Sequence, residues 1–173
     1  MLTIFWGFLL LFVNINLNIG ASTVDLLPDF LGYFLIARGL GQIGLQSVRF
    51  AKARPWAIAM TVYTAGLYIL NIAATSTSLQ LLGYFLGIAA LAANLYISFQ
   101  IVTGITELEL AEGCDLRGER LKTVWRYMAV LNVLSYLFFW IPIAGIGSLL
   151  AAFVVEVCFL VFFYKTTTLY RVL

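Results

Sequence analysis

Histidine is missing from this 173-residue chain, cysteine and proline occur only two and three times, and charged residues make up 10%. Each shortage excludes something. Without an imidazole there is no His-dependent hydrolase or phosphatase and no His-ligated metal site. Cys114 and Cys158 cannot form a CxxC redox centre. One falls in an expected cytoplasmic turn and the other inside an apolar segment, so a disulfide is not expected. Gly145-Ile146-Gly147-Ser148 sets a serine beside a glycine turn, but no histidine exists to activate it. Asp25 and Asp29 read as helix-end carboxylates that complement the helix dipole. No phosphate-cradling loop or metal-ligand spacing is found, so no cofactor and no enzymatic activity are expected.

What is abundant is apolar. Hydrophobic residues make up 63% of the chain and mean hydropathy is +1.02. A soluble domain carries about 25% charged residues, so lipid is expected to solvate most of the surface. The reading is an all-α integral membrane bundle of six transmembrane helices, forming a single domain over residues 1–173. The spans fall at roughly 2–19, 26–44, 55–72, 79–105, 124–140 and 148–164, each near the ~20 residues a bilayer needs. The first run lacks the basic flank of a signal peptide and is read as a retained helix.

The basic residues set the orientation. They fall in three groups: Arg38, Arg49, Lys52 and Arg54; then Arg117, Arg120, Lys122 and Arg126; then Lys165 and Arg171. All lie where a six-pass topology puts the cytoplasm, so both termini are expected inside. With acids among them at the membrane rim, they do not form a nucleic-acid footprint. Pro55 suits the first turn of the third helix, Pro142 with Gly145 and Gly147 an outer turn, and Thr75 to Ser78 the cap of the fourth helix. The fourth helix is expected to outrun the bilayer and stop at Gly113. A cytoplasmic helical hairpin would then occupy about 105–123, with Asp115 capping the returning helix. Its acidic arm (Glu107, Glu109, Glu112) would face its basic arm (Arg117, Arg120, Lys122), making a candidate docking surface for a partner.

Glu156 stands alone in Phe153-Val154-Val155-Glu156-Val157-Cys158-Phe159, midway along the sixth span. A charge at that depth costs about 2.5–3.5 kcal/mol and marks either function or a structural partner. Depth counting places Arg38 and Asn132 level with it, so contact between the second and sixth spans would bring Arg38 and Glu156 together. That is either a gated or proton-coupled polar site, or a structural ion pair, or an Arg38 that snorkels to the rim. Asn14, Asn18, Asn94 and Gln100 serve either as interhelical glue or as lining for a solute path. Gly83, Gly87 and Ala90 form a small-residue stripe for helix packing on the fourth span.

Asp25-Leu26-Leu27-Pro28-Asp29-Phe30-Leu31-Gly32-Tyr33-Phe34-Leu35-Ile36 resembles segments of small, uncharacterised polytopic membrane proteins of Gram-positive bacteria. Gly104-Ile105-Thr106-Glu107-Leu108-Glu109 and Asp115-Leu116-Arg117 contribute to the same likeness. The resemblance covers about a third of the chain and implies a bacterial cytoplasmic membrane, with no activity or substrate. Two functions follow as expectations. One is a small-solute transporter with an Arg38/Glu156 site. The other is an accessory, scaffolding or regulatory subunit that docks a membrane-protein partner, or a second copy, through the 107–126 hairpin.

Overall fold

The computed structural model describes residues 1–12, 16–19, 22–25, 28–73, 80–138 and 142–171. Among them lie six helices: α1 (Leu2–Phe12), α2 (Asp29–Ile43), α3 (Val48–Ala73), α4 (Gln80–Glu112), α5 (Gly118–Leu137) and α6 (Pro142–Tyr170). A short antiparallel hairpin of β1 (Asn16–Ile19) and β2 (Ser22–Asp25) joins α1 to α2. Each helix packs on the next in chain order, and α6 returns against α1, so the six close into a ring.

The closing contact is aromatic. Phe8 of α1 is wholly buried, with ring centroids 5.5 Å from Phe159 and 5.4 Å from Phe163 of α6, both edge-on. Phe12 adds a further edge contact to Phe159 at 6.1 Å. Such pairs contribute about 0.5–1.5 kcal/mol each beyond the area they bury. On its other side α1 meets α2 almost backbone to backbone. A Cβ on Gly7 would lie 2.7 Å from the Gly32 carbonyl oxygen, and one on Gly32 would lie 3.0 Å from that of Gly7. This close approach of α1 and α2 is separate from the one expected at Gly83, Gly87 and Ala90. Ala90 packs against the core, Gly87 is half-buried, and the surroundings of Gly83 lie outside the described residues. Gly39, two turns beyond Gly32 on the same face, continues the approach of α1 and α2, where an added Cβ would lie 3.1 Å from the Ile4 nitrogen.

Among the described residues, two helices are long and apolar enough to cross a membrane, Phe85–Glu112 with 28 residues and Gly147–Tyr170 with 24. The other four differ from the expected spans for identifiable reasons. At 1.5 Å per residue α1 and α2 reach only about 17 and 23 Å, short of a hydrocarbon core of about 30 Å. The expected 2–19 helix stops at Phe12 because Asn16 and Asn18 alternate with Leu17 and Ile19, the period of a strand. Their strand pairs Asn16 with Asp25 and Ile19 with Ser22. In α3, Arg49, Lys52 and Arg54 lie inside the helix rather than before it, and in α5 Arg120, Lys122 and Arg126 occupy the first turns, as expected of the returning helix.

Two helix starts shift for local reasons. α3 begins at Val48, so Pro55 is interior. Ser47 sets that start: its hydroxyl accepts the Arg49 N–H at 3.1 Å and its carbonyl accepts those of Phe50 and Ala51. α6 begins at Pro142, which puts Gly145 and Gly147 within the helix rather than in a turn. The caps expected at Thr75 to Ser78 lie outside the described residues. α4 ends where expected: Gly113 takes a φ of +66° and its N–H bonds to the Glu109 carbonyl at 3.1 Å.

Candidate functional site

Glu156 lies at the midpoint of α6, half-buried, and accepts a hydrogen bond from the Asn132 amide of α5 at 3.1 Å. The match is geometric. Each residue sits about 21 Å, or ~14 residues, from the helix end at Tyr170 or Gly118. The Asn132 amide also donates to the Met128 carbonyl at 3.1 Å, which fixes its orientation toward α6. The level expected for Asn132 is therefore right, while the partnership expected for Arg38 is not. α1 stands between α2 and α6, and Arg38 lines a different cleft, between α2 and α3. Contact between α2 and α6 was inferred from depth alone, and depth does not fix lateral order.

Beside Glu156 runs a cleft of about 490 Å³ between α1 and α6, walled by Phe5, Leu9, Phe12, Phe153 and Leu160. The cleft walls are apolar apart from Glu156, with Lys165 and Tyr164 at the end toward the α6 terminus.

A second group of polar residues ties the ends of the helices together where α2, α4 and α6 finish. Arg49 of α3 bridges α4: its Nε bonds Glu107 at 2.9 Å and a terminal nitrogen bonds Gln100 at 3.3 Å. Glu107 and Gln100 lie two turns apart on one face of α4. Ser47 donates to the other Glu107 oxygen at 3.1 Å. Gln100, read from the sequence as a polar residue of the membrane interior, is buried and spends its amide on the Tyr96 hydroxyl at 2.9 Å. The Arg49 guanidinium holds the Glu107 carboxyl below the usual carboxylate range; desolvation opposes this and Ser47 reinforces it. Glu107 lies two residues beyond Ile105, where the expected apolar run ends. Tyr170 donates to Gln46 at 2.6 Å, Thr3 to Gln42 at 3.4 Å, and Thr166 to the Leu116 carbonyl at 2.9 Å.

The 113–117 connection departs from the expected pairing of acidic and basic arms. Glu107 is committed to Arg49 on α3, and Glu109 accepts the Gly118 N–H at 2.6 Å, capping α5 from the neighbouring helix. Asp115, expected as that cap, instead accepts the Arg117 N–H at 3.0 Å, one residue too early. Arg117 takes a left-handed φ of 60° at the turn. Lys122 meets Glu119 within α5 at 3.9 Å. Glu112, Arg117 and Arg120 remain exposed with no ion-pair partner among the described residues.

Of the other polar candidates, Asn94 is half-buried. Its backbone carbonyl accepts from Ser98 at 2.8 Å, while its side-chain oxygen has no partner. Asn18 lies in β1 rather than in a helix, and Asn14 lies outside the described residues. Sequence reasoning missed Arg49, which it counted only toward orientation, and Trp125, whose indole N–H bonds the Ser98 hydroxyl at 2.9 Å. A carboxylate beyond the apolar run of α4 was the available signal for Arg49.

No protein-family model, curated protein or solved structure matches the chain. Among the described residues, fold and site together define a ring of six helices, two of them long and apolar enough to cross a membrane, with a carboxylate–amide pair at mid-helix and a polar-tied end.

The Asn132–Glu156 bond has a measurable signature. Replacing Asn132 by Leu leaves the Glu156 carboxyl without this partner and costs about 1–3 kcal/mol, whereas N132L/E156L removes both and recovers most of the loss. Unfolding of the purified protein in detergent, followed by circular dichroism, reads both values. A neutral N132L, or a double variant no better than the single, contradicts the pairing.

Proposed function

We propose that this chain is a non-enzymatic, multi-pass protein of a bacterial cytoplasmic membrane, an accessory subunit that docks a partner protein through its charged 107–126 hairpin. The bacterial assignment rests on the resemblance of residues 25–36 and their companion stretches. The orientation rests on charge. All ten basic residues lie within about 12 Å of the polar-tied end of the ring, counted along their helices, which is the positive-inside arrangement for a cytoplasmic end.

One observation carries the docking reading: the hairpin is held rigid while its outward charges are uncommitted. Glu109 fastens the start of α5, and Thr166 of α6 fastens the Leu116 carbonyl. Glu112, Arg117 and Arg120 are exposed on this hairpin, and Leu110 is 80% exposed on the same arm as Glu112. A hairpin fastened to its neighbours that still carries uncommitted charge suits protein recognition, because little entropy remains to be lost on binding. The docking set narrows accordingly. Glu107, Glu109 and Lys122 serve the fold, and Glu112, Arg117 and Arg120 are left for a partner. R117E/R120E should lose the protein that co-purifies with wild type after crosslinking in membranes, with its helical content unchanged. Co-purification of the same protein at the same yield contradicts the proposal.

Solute transport is supported by the Asn132–Glu156 pair, since a carboxylate at mid-depth with a single amide partner can carry a proton. It loses the Arg38 arm of the expected site, and the cleft at Glu156 has apolar walls. If transport occurs, E156Q should abolish pH-dependent uptake in proteoliposomes; uptake unchanged by E156Q sinks this reading.

A further inference from the structure

Arg38 and Arg54 share an outward cleft of about 280 Å³ between α2 and α3, and no carboxylate lines it. Neither arginine has a hydrogen bond or ion pair among the described residues, and both are exposed. Both nonetheless line the same cleft. The Arg54 guanidinium lies against Gly41, where an added Cβ would come within 3.4 Å of its Cζ and Nε. Gly41 is one turn from Arg38 and on the same face of α2. Two like charges set side by side without a counter-charge are unfavourable unless an anion joins them.

The rest of the cleft indicates which anion. α2 and α3 run antiparallel, so Phe34 lies further from the polar-tied end than Arg38, and Ile58 and Val62 lie further from it than Arg54. Charge at one end of the cleft therefore grades into walls that are apolar at the other, apart from Thr61, whose hydroxyl is spent on the Ala57 carbonyl at 2.8 Å. A phosphate with hydrocarbon chains matches that gradient, and a free phosphate matches only half of it. Counted along α2 and α3, the arginines sit about 8–9 Å from the helix ends at Ile43 and Val48, the depth of a headgroup rather than of bulk water. Basic pockets between membrane helices on the cytoplasmic side bind anionic headgroups in this way, and guanidinium forks suit phosphate oxygens.

We infer that the α2–α3 cleft is a binding site for an anionic phospholipid, with the headgroup phosphate between Arg38 and Arg54 and an acyl chain along Phe34, Ile58 and Val62. The inference rests on the membrane placement proposed above. It gives Arg38 a role separate from Glu156 and from the hairpin.

The test uses the full chain, purified in neutral detergent and stripped of lipid, with bound lipid counted by native mass spectrometry. Wild type should retain phosphatidylglycerol in preference to phosphatidylcholine, and R38Q/R54Q should retain it about thirtyfold more weakly, given roughly fivefold per arginine near a membrane surface. R126Q should bind as wild type does. The wild-type comparison of the two lipids needs no variant and stands even if R38Q/R54Q folds poorly. Equal retention of both lipids by wild type, or undiminished phosphatidylglycerol on a folded R38Q/R54Q, overturns the site. Displacement of the lipid by millimolar inorganic phosphate overturns the lipid assignment in favour of a free-phosphate site. Carbonate extraction separates the two readings. Wild type washed from membranes refutes the membrane placement, whereas wild type retained there without lipid preference refutes only this inference.

Discussion

The position of α1 is the constraint on which the rest of the arrangement depends. It is the shortest helix, only 11 residues, yet it is wedged between α2 and α6, and this closes the ring. Opposite faces of α1 do different work. Gly7 lets its backbone touch that of α2, where dispersion over many close atom pairs is the attraction. Phe8 buries its ring among Phe159 and Phe163 of α6, where edge-on aromatic packing adds to the area removed from solvent. A helix this short has little stability of its own, so packing must hold it in place.

Everything of functional interest follows from that wedge. Because α1 separates α2 from α6, Arg38 and Glu156 cannot meet, and each charge finds a different setting. Glu156 turns to Asn132 on α5, the neighbour on its other side, and leaves an apolar cleft toward α1. Arg38 is left facing outward with Arg54, in a cleft that lacks a counter-charge. At the tied end, Arg49 draws Glu107 away from the hairpin, which frees Arg117 and Arg120 from the acidic arm expected to neutralise them. An exposed pair such as Arg49–Glu107 is worth at most about 1 kcal/mol, so its effect is to choose partners rather than to add stability.

The helices themselves were largely legible in the sequence, because apolar runs and glycine punctuation are local signals. Gly113 stops α4 for a reason visible in one residue, its access to positive φ. What was not legible depended on competition between signals or on lateral order. Asn16 and Asn18 lie in a hydrophobic stretch and at strand spacing, and the spacing won. Ser47 begins α3 eight residues before Pro55, and a capping hydroxyl before a basic run is easily read as loop. Depth along a helix was correct for Asn132 and Glu156, since rise per residue is fixed, but counting cannot say which helices stand side by side. Of the candidate site, the chemistry of Glu156 was readable, its partner was readable only as one of two, and the Arg54 cleft was not readable at all.

The most direct measurement is proximity across the closing contact, made in native membranes. Phe5 and Tyr164 have ring centroids 5.2 Å apart and neither is fully buried, so both positions tolerate labelling. In a C114A/C158A background, F5C/Y164C should be joined by a short bifunctional thiol reagent, while R38C/E156C should not. Efficient joining of R38C/E156C, with F5C/Y164C left unlinked, would place α2 rather than α1 against α6 and contradict the ring.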